Sequence, residues 1–280
     1  MKRIVTVQDI SCIGKCSLTV ALPVISACGI EAAVIPTAML SAHTAFNGFT
    51  FCDLTDEITP VAEHWKKERL KFDAIYTGYL GSFRQMELMD KFFTDFKTED
   101  NIIFIDPVMG DHGRLYPGFN QDFADRMASL CGKADVIVPN LTEACFMLRE
   151  EYIENGYTKD YIKNILMRLC GLGCKNAVLT GVSFNDSELG IFCYNKDSDT
   201  FSEYYTEKVS ASFHGTGDVF SSAAVGALMR GLSLESALKT AADFTVESIK
   251  ATLRDTDRTW YGVNFEQALP YLINELKNNS

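Results

Sequence analysis

Short apolar runs rich in β-branched residues alternate along this chain with longer stretches in which apolar residues recur every three or four positions. The run RIVTVQ (residues 3–8) predicts a buried strand. CSLTVALPVISACG has helical spacing and stops at Gly29. EAAVIPTAM predicts a second strand. DEITPVAEHWKKERLKF predicts a helix with Pro60 in its early turns, where proline is tolerated. DAIYTGYLG reads as a strand and then a turn. FRQMELMDKFFTDFK predicts a helix with Phe83, Met86, Leu88, Met89, Phe92, Phe93 and Phe96 on and around one face, which is expected to be core. NIIFIDPVMGD predicts a strand ending in a polar turn, DVIVPN another strand and LTEACFMLREEY the next helix. A helix over about residues 159–172 leads to the strand NAVLTG.

Strands alternating with helices predict an α/β fold: a mostly parallel sheet in a three-layer α/β/α sandwich, joined by right-handed crossovers. The pattern changes over residues 189–209. LGIFCYNKDSDTFSEYYTEKV reads as two extended runs around NKDSD, an antiparallel hairpin. Helices are expected at residues 219–230, 234–253 and about 264–277. With no repeat, linker or low-complexity tract, residues 1–280 are expected to form one domain.

Net charge is −11, which argues against a sequence-independent nucleic-acid binder but leaves room for anionic small ligands held by backbone N–H groups. The nine cysteines are scattered without a CxxC pair or a histidine at ligand spacing, so neither a disulfide framework nor a zinc site is expected. Cys170 and Cys174 are expected to share a packed helical face. No secretory leader or membrane span is expected, and the chain reads as cytoplasmic and reduced.

In an open α/β sheet, ligands bind beyond the carboxyl ends of the strands. The residues expected there are Asp9, His43 and Thr44, the stretch Thr77-Gly78-Tyr79, Asp106 and Asp111, Asn140 and Glu143, and Thr180-Gly181. Each has a plainer alternative. Asp106-Pro107 is also a common strand-ending turn. Asn140 and Glu143 also fit a helix entry with an acid in its first turn. Thr44 also fits an ordinary loop residue and His43 a hydrogen-bonded core histidine. His112 and His214 sit beside glycines in loops.

Gly14-Lys15 is not a phosphate-binding P-loop, because the positions that need a glycine and a hydroxyl hold Asp9 and Cys16. GTGDVF lacks the third glycine of a dinucleotide fingerprint. In HGTGDVFSSAAVGALMRG, Gly215 and Gly217 permit a tight backbone whose N–H groups meet the positive end of a helix, followed by small residues that allow close packing. Asp218 has two readings. One is helix-dipole compensation, worth about 0.3–1 kcal/mol. The other is a base that takes the proton of a substrate hydroxyl attacking phosphorus, next to N–H groups that stabilise the transferred phosphoryl group.

VTVQDISCIGKCS, SAHTAF, YTGYLGS, DPVMGDHGRLY, VPNLTEA and GTGDVFSS together resemble the ribokinase-like superfamily, and within it the pyridoxal/pyridoxine/pyridoxamine (vitamin B6) kinases, over nearly the whole chain. GTGD alone marks the superfamily, whereas DPVMGD with TGY and HT narrows it to the vitamin kinases. The resemblance implies that Asp218 is the general base and that Gly215, Thr216 and Gly217 form the anion hole. It implies that Asp106 and Glu143 are the acids near the ATP phosphates and Mg²⁺, with Asn140, Thr180 and Gly181 on the nucleotide side. The hairpin would lie over ATP, and Asp9, Thr44, Ala45 and Tyr79 would hold the pyridine ring. It further implies a K⁺ requirement beside Mg²⁺ and a homodimer.

Asp9 departs from the family, which usually has serine there. An aspartate is charged and only accepts, so it implies a protonated partner, either a ring nitrogen or the amine of pyridoxamine. Ala45 is also smaller than the family's usual residue. The resemblance implies ATP-dependent phosphorylation of the 5′-hydroxymethyl of a B6 vitamer. The alternatives are a hydroxymethylpyrimidine kinase of the same superfamily and a B6-binding protein without turnover.

Overall fold

β1 (Arg3–Ser11) is buried along nearly its whole length, with Ile4, Val5 and Val7 joined by the buried polar residues Thr6, Gln8, Asp9 and Ser11, as in a strand covered on both faces. It opens the computed structural model, which describes residues 1–209, 211 and 213–279. The chain continues through α1 (Leu18–Ala27), β2 (Glu31–Leu40), β3 (Phe51–Asp53), α2 (Thr55–Lys67) and β4 (Ala74–Thr77). β1 pairs in parallel with β2 and β4, and β3 lies antiparallel on the outer edge of β2, in the order β4-β1-β2-β3. The β1–β2 register shifts between Gln8 and Ile10, which face Pro36 and Met39, so β2 carries one extra residue opposite Asp9. Pro36 has no N–H for the ladder, and a bulge of this kind re-aims the side chains around it. α2 stops at Lys67, short of the apolar pattern, because Arg69 turns left-handed at φ 55°.

Residues 79–208 form a second compact unit. It contains α3 (Phe83–Phe96), β5 (Ile102–Ile105), β6 (Gly110–Asp111), β7 (Arg114–Leu115), α4 (Gln121–Cys131), β8 (Val136–Ile137), α5 (Leu141–Leu148), α6 (Lys159–Gly171), β9 (Asn176–Val182), β10 (Glu188–Asn195) and β11 (Thr200–Glu207). β5, β8 and β9 are parallel, and β10 and β11 continue antiparallel, in the order β11-β10-β9-β8-β5. The expected hairpin is therefore present, with Asn195 Oδ1 accepting the Ser198 N–H inside its turn at 2.8 Å. β8 is shorter than the run DVIVPN because Pro139 cannot extend the ladder. α4 has no counterpart among the sequence expectations. Asn120 caps it, and Phe123, Met127 and Leu130 bury one face. Cys170 lies in α6 while Cys174 lies beyond its end, so they do not share a helical face; they pack instead as a buried pair, Sγ to Sγ 3.8 Å.

The chain then returns to the first unit, made of residues 1–78 and 209–280, with α7 (Thr216–Met229), α8 (Leu234–Arg254) and α9 (Phe265–Asn278). α7 is buried almost all round and packs on α1. A Cβ at Gly226 would lie 2.5 Å from Cys28 Sγ, so this approach needs the small residues that follow Asp218. No helix among the described residues is long and apolar enough to cross a membrane.

Candidate active site

In the first unit, residues far apart in sequence converge around the carboxyl-terminal part of β1. Asp9 is 6% exposed. Its Oδ2 accepts from Ser11 Oγ at 3.0 Å, and Ser17 also hydrogen-bonds to it. Burial outweighs these bonds and pushes its carboxyl above the usual range. Cys16 sits among the same groups. Its thiol is pushed up to about 12 by burial, then by the charge of Asp218, with a smaller contribution from Asp9. Both carboxylates are thus within electrostatic reach of one sulfur atom.

Asp218 stands half-buried in the first turn of α7. Gly215 precedes the helix at φ 80°, and a Cβ there would lie 2.1 Å from the Lys15 carbonyl oxygen, so this position admits glycine on two grounds. Thr216 Oγ1 donates to the Phe213 carbonyl at 3.3 Å and ties the turn together. A Cβ at Gly217 would meet nothing within 4 Å, which leaves its surface open. Side chains cap α3, α4, α5, α6 and α8 at their N-termini, whereas α7, like α1, α2 and α9, has no side-chain cap. An uncapped, glycine-opened helix start with a carboxylate beside it can bind an anion and accept a proton at neighbouring points.

Thr44 and Ala45 lie exposed on the loop after β2, while His43 points inward. His43 Nδ1 accepts the Ala45 N–H at 3.0 Å, and its Nε2 lies 3.0 Å from the Tyr261 carbonyl oxygen. A carbonyl oxygen only accepts, so Nε2 carries the proton and the ring is neutral. Burial lowers its pKa in the same sense. His43 is thus a satisfied core histidine. His214 is exposed in the turn before α7, its ring 5.0 Å from that of His43.

The segment 12–17 and residues 260–266 were not read as parts of a site. Lys15 Nζ donates to Asn264 Oδ1 at 2.8 Å and Glu266 Oε2 at 3.0 Å, and its carbonyl closes on Gly215. These partners are about 250 residues apart in the chain, so only a positional hint was available: Gly14, at φ 145°, where a Cβ would strike His43 at 2.3 Å.

In the second unit, Asp106 follows β5 and is 8% exposed. Glu143 lies one turn into α5. Its Oε1 accepts the Met109 N–H at 2.9 Å and its Oε2 the Asn140 N–H at 3.0 Å. Asn140 Oδ1 accepts the Glu143 N–H in return, closing a capping box, and Asn140 Nδ2 donates to the Gly110 carbonyl at 2.8 Å. Complete burial and then the nearby charge of Asp106 push the Glu143 carboxyl up to about 8. Asn140 bridges to Thr180, and the Thr180 N–H reaches the Pro139 carbonyl at 3.0 Å. Gly181 is the extra residue of a bulge opposite β10, at φ 72° and exposed. Asp106, Asn140, Glu143 and Thr180 are therefore brought together at the ends of β5, β8 and β9. Tyr79 begins this unit, half-buried, with its ring 5.9 Å from Phe119.

The donor set of Asp106 and Glu143 fits Mg²⁺. Both offer hard oxygens, and a divalent cation would offset the burial and the Asp106 charge that together raise the Glu143 pKa. No group of three or more His, Cys, Asp or Glu suited to a metal occurs among the described residues. Phosphate and water oxygens would complete the shell, the usual arrangement for Mg²⁺.

Residues 22–260 match the phosphomethylpyrimidine kinase family. The chain belongs to this family of kinases. It is 40% identical to a Bacteroides thetaiotaomicron VPI-5482 protein assigned as a phosphomethylpyrimidine kinase, solved with pyridoxal, at TM-score 0.91 over 97% of this chain and 95% of that one. It is 28% identical to the pyridoxal kinase of Lactobacillus plantarum, at TM-score 0.89 over 99% of each chain. The hydroxymethylpyrimidine/phosphomethylpyrimidine kinase of Aquifex aeolicus (strain VF5) is 28% identical over 204 residues, 69% of this chain and 76% of the relative. The expected ribokinase-like α/β fold and vitamin-kinase resemblance therefore hold.

Proposed function

We propose that the protein is an ATP-dependent kinase that phosphorylates the 5′-hydroxymethyl group of a vitamin B6 vitamer: pyridoxal, pyridoxine or pyridoxamine. The observation that carries this reading is Asp218 beside the uncapped, glycine-opened start of α7. Asp218 takes the proton of the hydroxymethyl group as its oxygen bonds to the γ-phosphorus. The bond from that phosphorus to the bridging oxygen breaks, and ADP leaves with the electron pair. The N–H groups of Gly215, Thr216 and Gly217 receive the charge on the transferred group. Asp9, Thr44, Ala45 and Tyr79 hold the ring, and Asn140, Thr180 and Gly181 face the nucleotide. Asp106 and Glu143 would hold Mg²⁺, which supplies charge neutralisation at the phosphate oxygens. Glu143 also fixes the turn after Asp106 through the Met109 N–H.

A second reading, phosphorylation of a hydroxymethylpyrimidine, is favoured by the family match itself. Both substrates present a CH₂OH on a heteroaromatic ring to the same chemistry. An ADP-release assay with the three vitamers and 4-amino-5-hydroxymethyl-2-methylpyrimidine separates them. Turnover of a B6 vitamer is expected, and turnover of the pyrimidine alone transfers the assignment. Tight vitamer binding without ADP release supports a binding protein instead. We further propose that residues 1–280 act as one cytoplasmic kinase domain, as a homodimer that needs K⁺ beside Mg²⁺. Sedimentation and replacement of K⁺ by Na⁺ test the last two points.

A further inference from the structure

Asp9 is a buried carboxylate without a cation. Its partners are the hydroxyls of Ser11 and Ser17 and its own backbone, and no lysine or arginine among the described residues pairs with it. The basic side chains of this region are committed elsewhere. His43 is held neutral, because Nδ1 accepts the Ala45 N–H and Nε2 donates to Tyr261. Lys15 points to Asn264 and Glu266. The second acid of the region, Asp218, acts on the same Cys16 thiol as Asp9 and adds negative potential. A buried carboxylate with hydroxyl partners alone is costly unless something positive or rich in N–H donors completes it. Serine at this position would accept or donate, whereas the carboxylate only accepts. The extra residue of the β2 bulge lies opposite Asp9.

We propose that Asp9 is a specificity residue that selects hydroxymethyl heteroarenes carrying an amine next to the reacting group over those carrying an aldehyde or alcohol there. The inference rests on the kinase reading above. Two substrates share this chemistry. In pyridoxamine the amine is an aminomethyl ammonium. In 4-amino-5-hydroxymethyl-2-methylpyrimidine it is a ring amine beside a protonatable nitrogen, which offers two parallel N–H donors to one carboxylate. Pyridoxal and pyridoxine bring no cationic donor to that position.

The test measures kcat/KM with ATP for these four acceptors in the wild type, Asp9→Asn and Asp9→Ser. Asn keeps the shape of Asp and removes the buried charge, and thermal melts confirm that each variant is folded. At least one amine-bearing acceptor is expected to lead pyridoxine by about 10-fold or more, and its ratio to pyridoxine to fall by about 10- to 100-fold in both variants, the range of a charge-assisted hydrogen bond. A lead of pyridoxamine alone identifies the aminomethyl group, and a lead of the pyrimidine alone the ring amine; either supports the proposal. No amine lead in the wild type, or a lead that survives in both variants, overturns it while leaving the kinase reading intact. If no acceptor is turned over, the kinase reading fails, and the thermal shift given by pyridoxamine decides the role of Asp9. A shift larger than that of pyridoxine and lost in Asp9→Asn upholds it, and equal shifts remove it.

Discussion

α5 and α7 both begin with an acid in the first turn, and the two helix starts are opposites. At α5 the capping groups are paired: Asn140 and Glu143 bond to each other's backbone, and the second carboxylate oxygen accepts the Met109 N–H. At α7 a left-handed glycine replaces the capping side chain and the neighbouring glycine faces open space. The same sequence sign therefore marks a side-chain-capped helix start in one unit and a glycine-opened one in the other. What separates them is the residue before the helix, a capping asparagine in one and a glycine in the other.

The strongest way to break this contrast is at the two acids. Asp218→Asn is expected to lower kcat by about 10²–10⁴ with KM little changed. Urea denaturation should show the variant still folded. Steady-state kinetics beside urea denaturation checks both halves, and activity within a few-fold of wild type removes the base assignment.

The glycines sharpen it next. Gly215→Ala places a methyl on the Lys15 carbonyl in a backbone conformation that alanine resists, and is expected to cost about 1–3 kcal/mol or more. Gly217→Ala meets no atom within 4 Å, so its melting temperature should barely move while turnover drops. Equal stability losses would contradict the description of α7 as open at Gly217.

At the capped start of α5 the effect should be structural. Glu143→Gln sets an amide –NH₂ against either the Met109 or the Asn140 N–H, and is expected to cost about 1–3 kcal/mol in urea denaturation without metal or nucleotide.

The smallest effect is a pH dependence at Asp9. Its folded pKa is raised by burial, so the fold favours the protonated form. That stability is complete below the unfolded value near 3.8 and is lost as pH rises through the folded value. Asp9→Asn should therefore melt above wild type at pH 7 by a few degrees, and the gain should shrink toward pH 4. Calorimetry at the two pH values, without substrate, measures it. A gain of equal size at both would mean that the carboxylate charge is not the cost.

Much of the frame was legible in the chain because strands and helices are written in local periodicity. β1, β2, β9, the 188–207 hairpin and the last three helices fall within a few residues of their predicted spans. α4 and the edge strand β3 escaped. α4 follows a loop of turn residues that hid its start, and β3 is only three residues long with all of them exposed. Among the strand-end residues, Asp106, Asn140, Glu143 and Thr180 were legible as a group because Asp106 follows β5, Asn140 and Glu143 follow β8, and Thr180 lies near the end of β9.

By itself, then, the sequence determined the order of elements, the acids at strand ends and the glycine pair before Asp218, because each is set by residues within a few positions of one another. The tertiary structure alone decided which carboxylates have partners. His43 is neutralised from Tyr261, Lys15 is drawn off by Asn264, and Glu143 is enclosed by a turn more than thirty residues earlier. Those contacts leave Asp9 buried without a cation. They are long-range pairings, and electrostatic environment depends on distance in space, which local pattern does not encode.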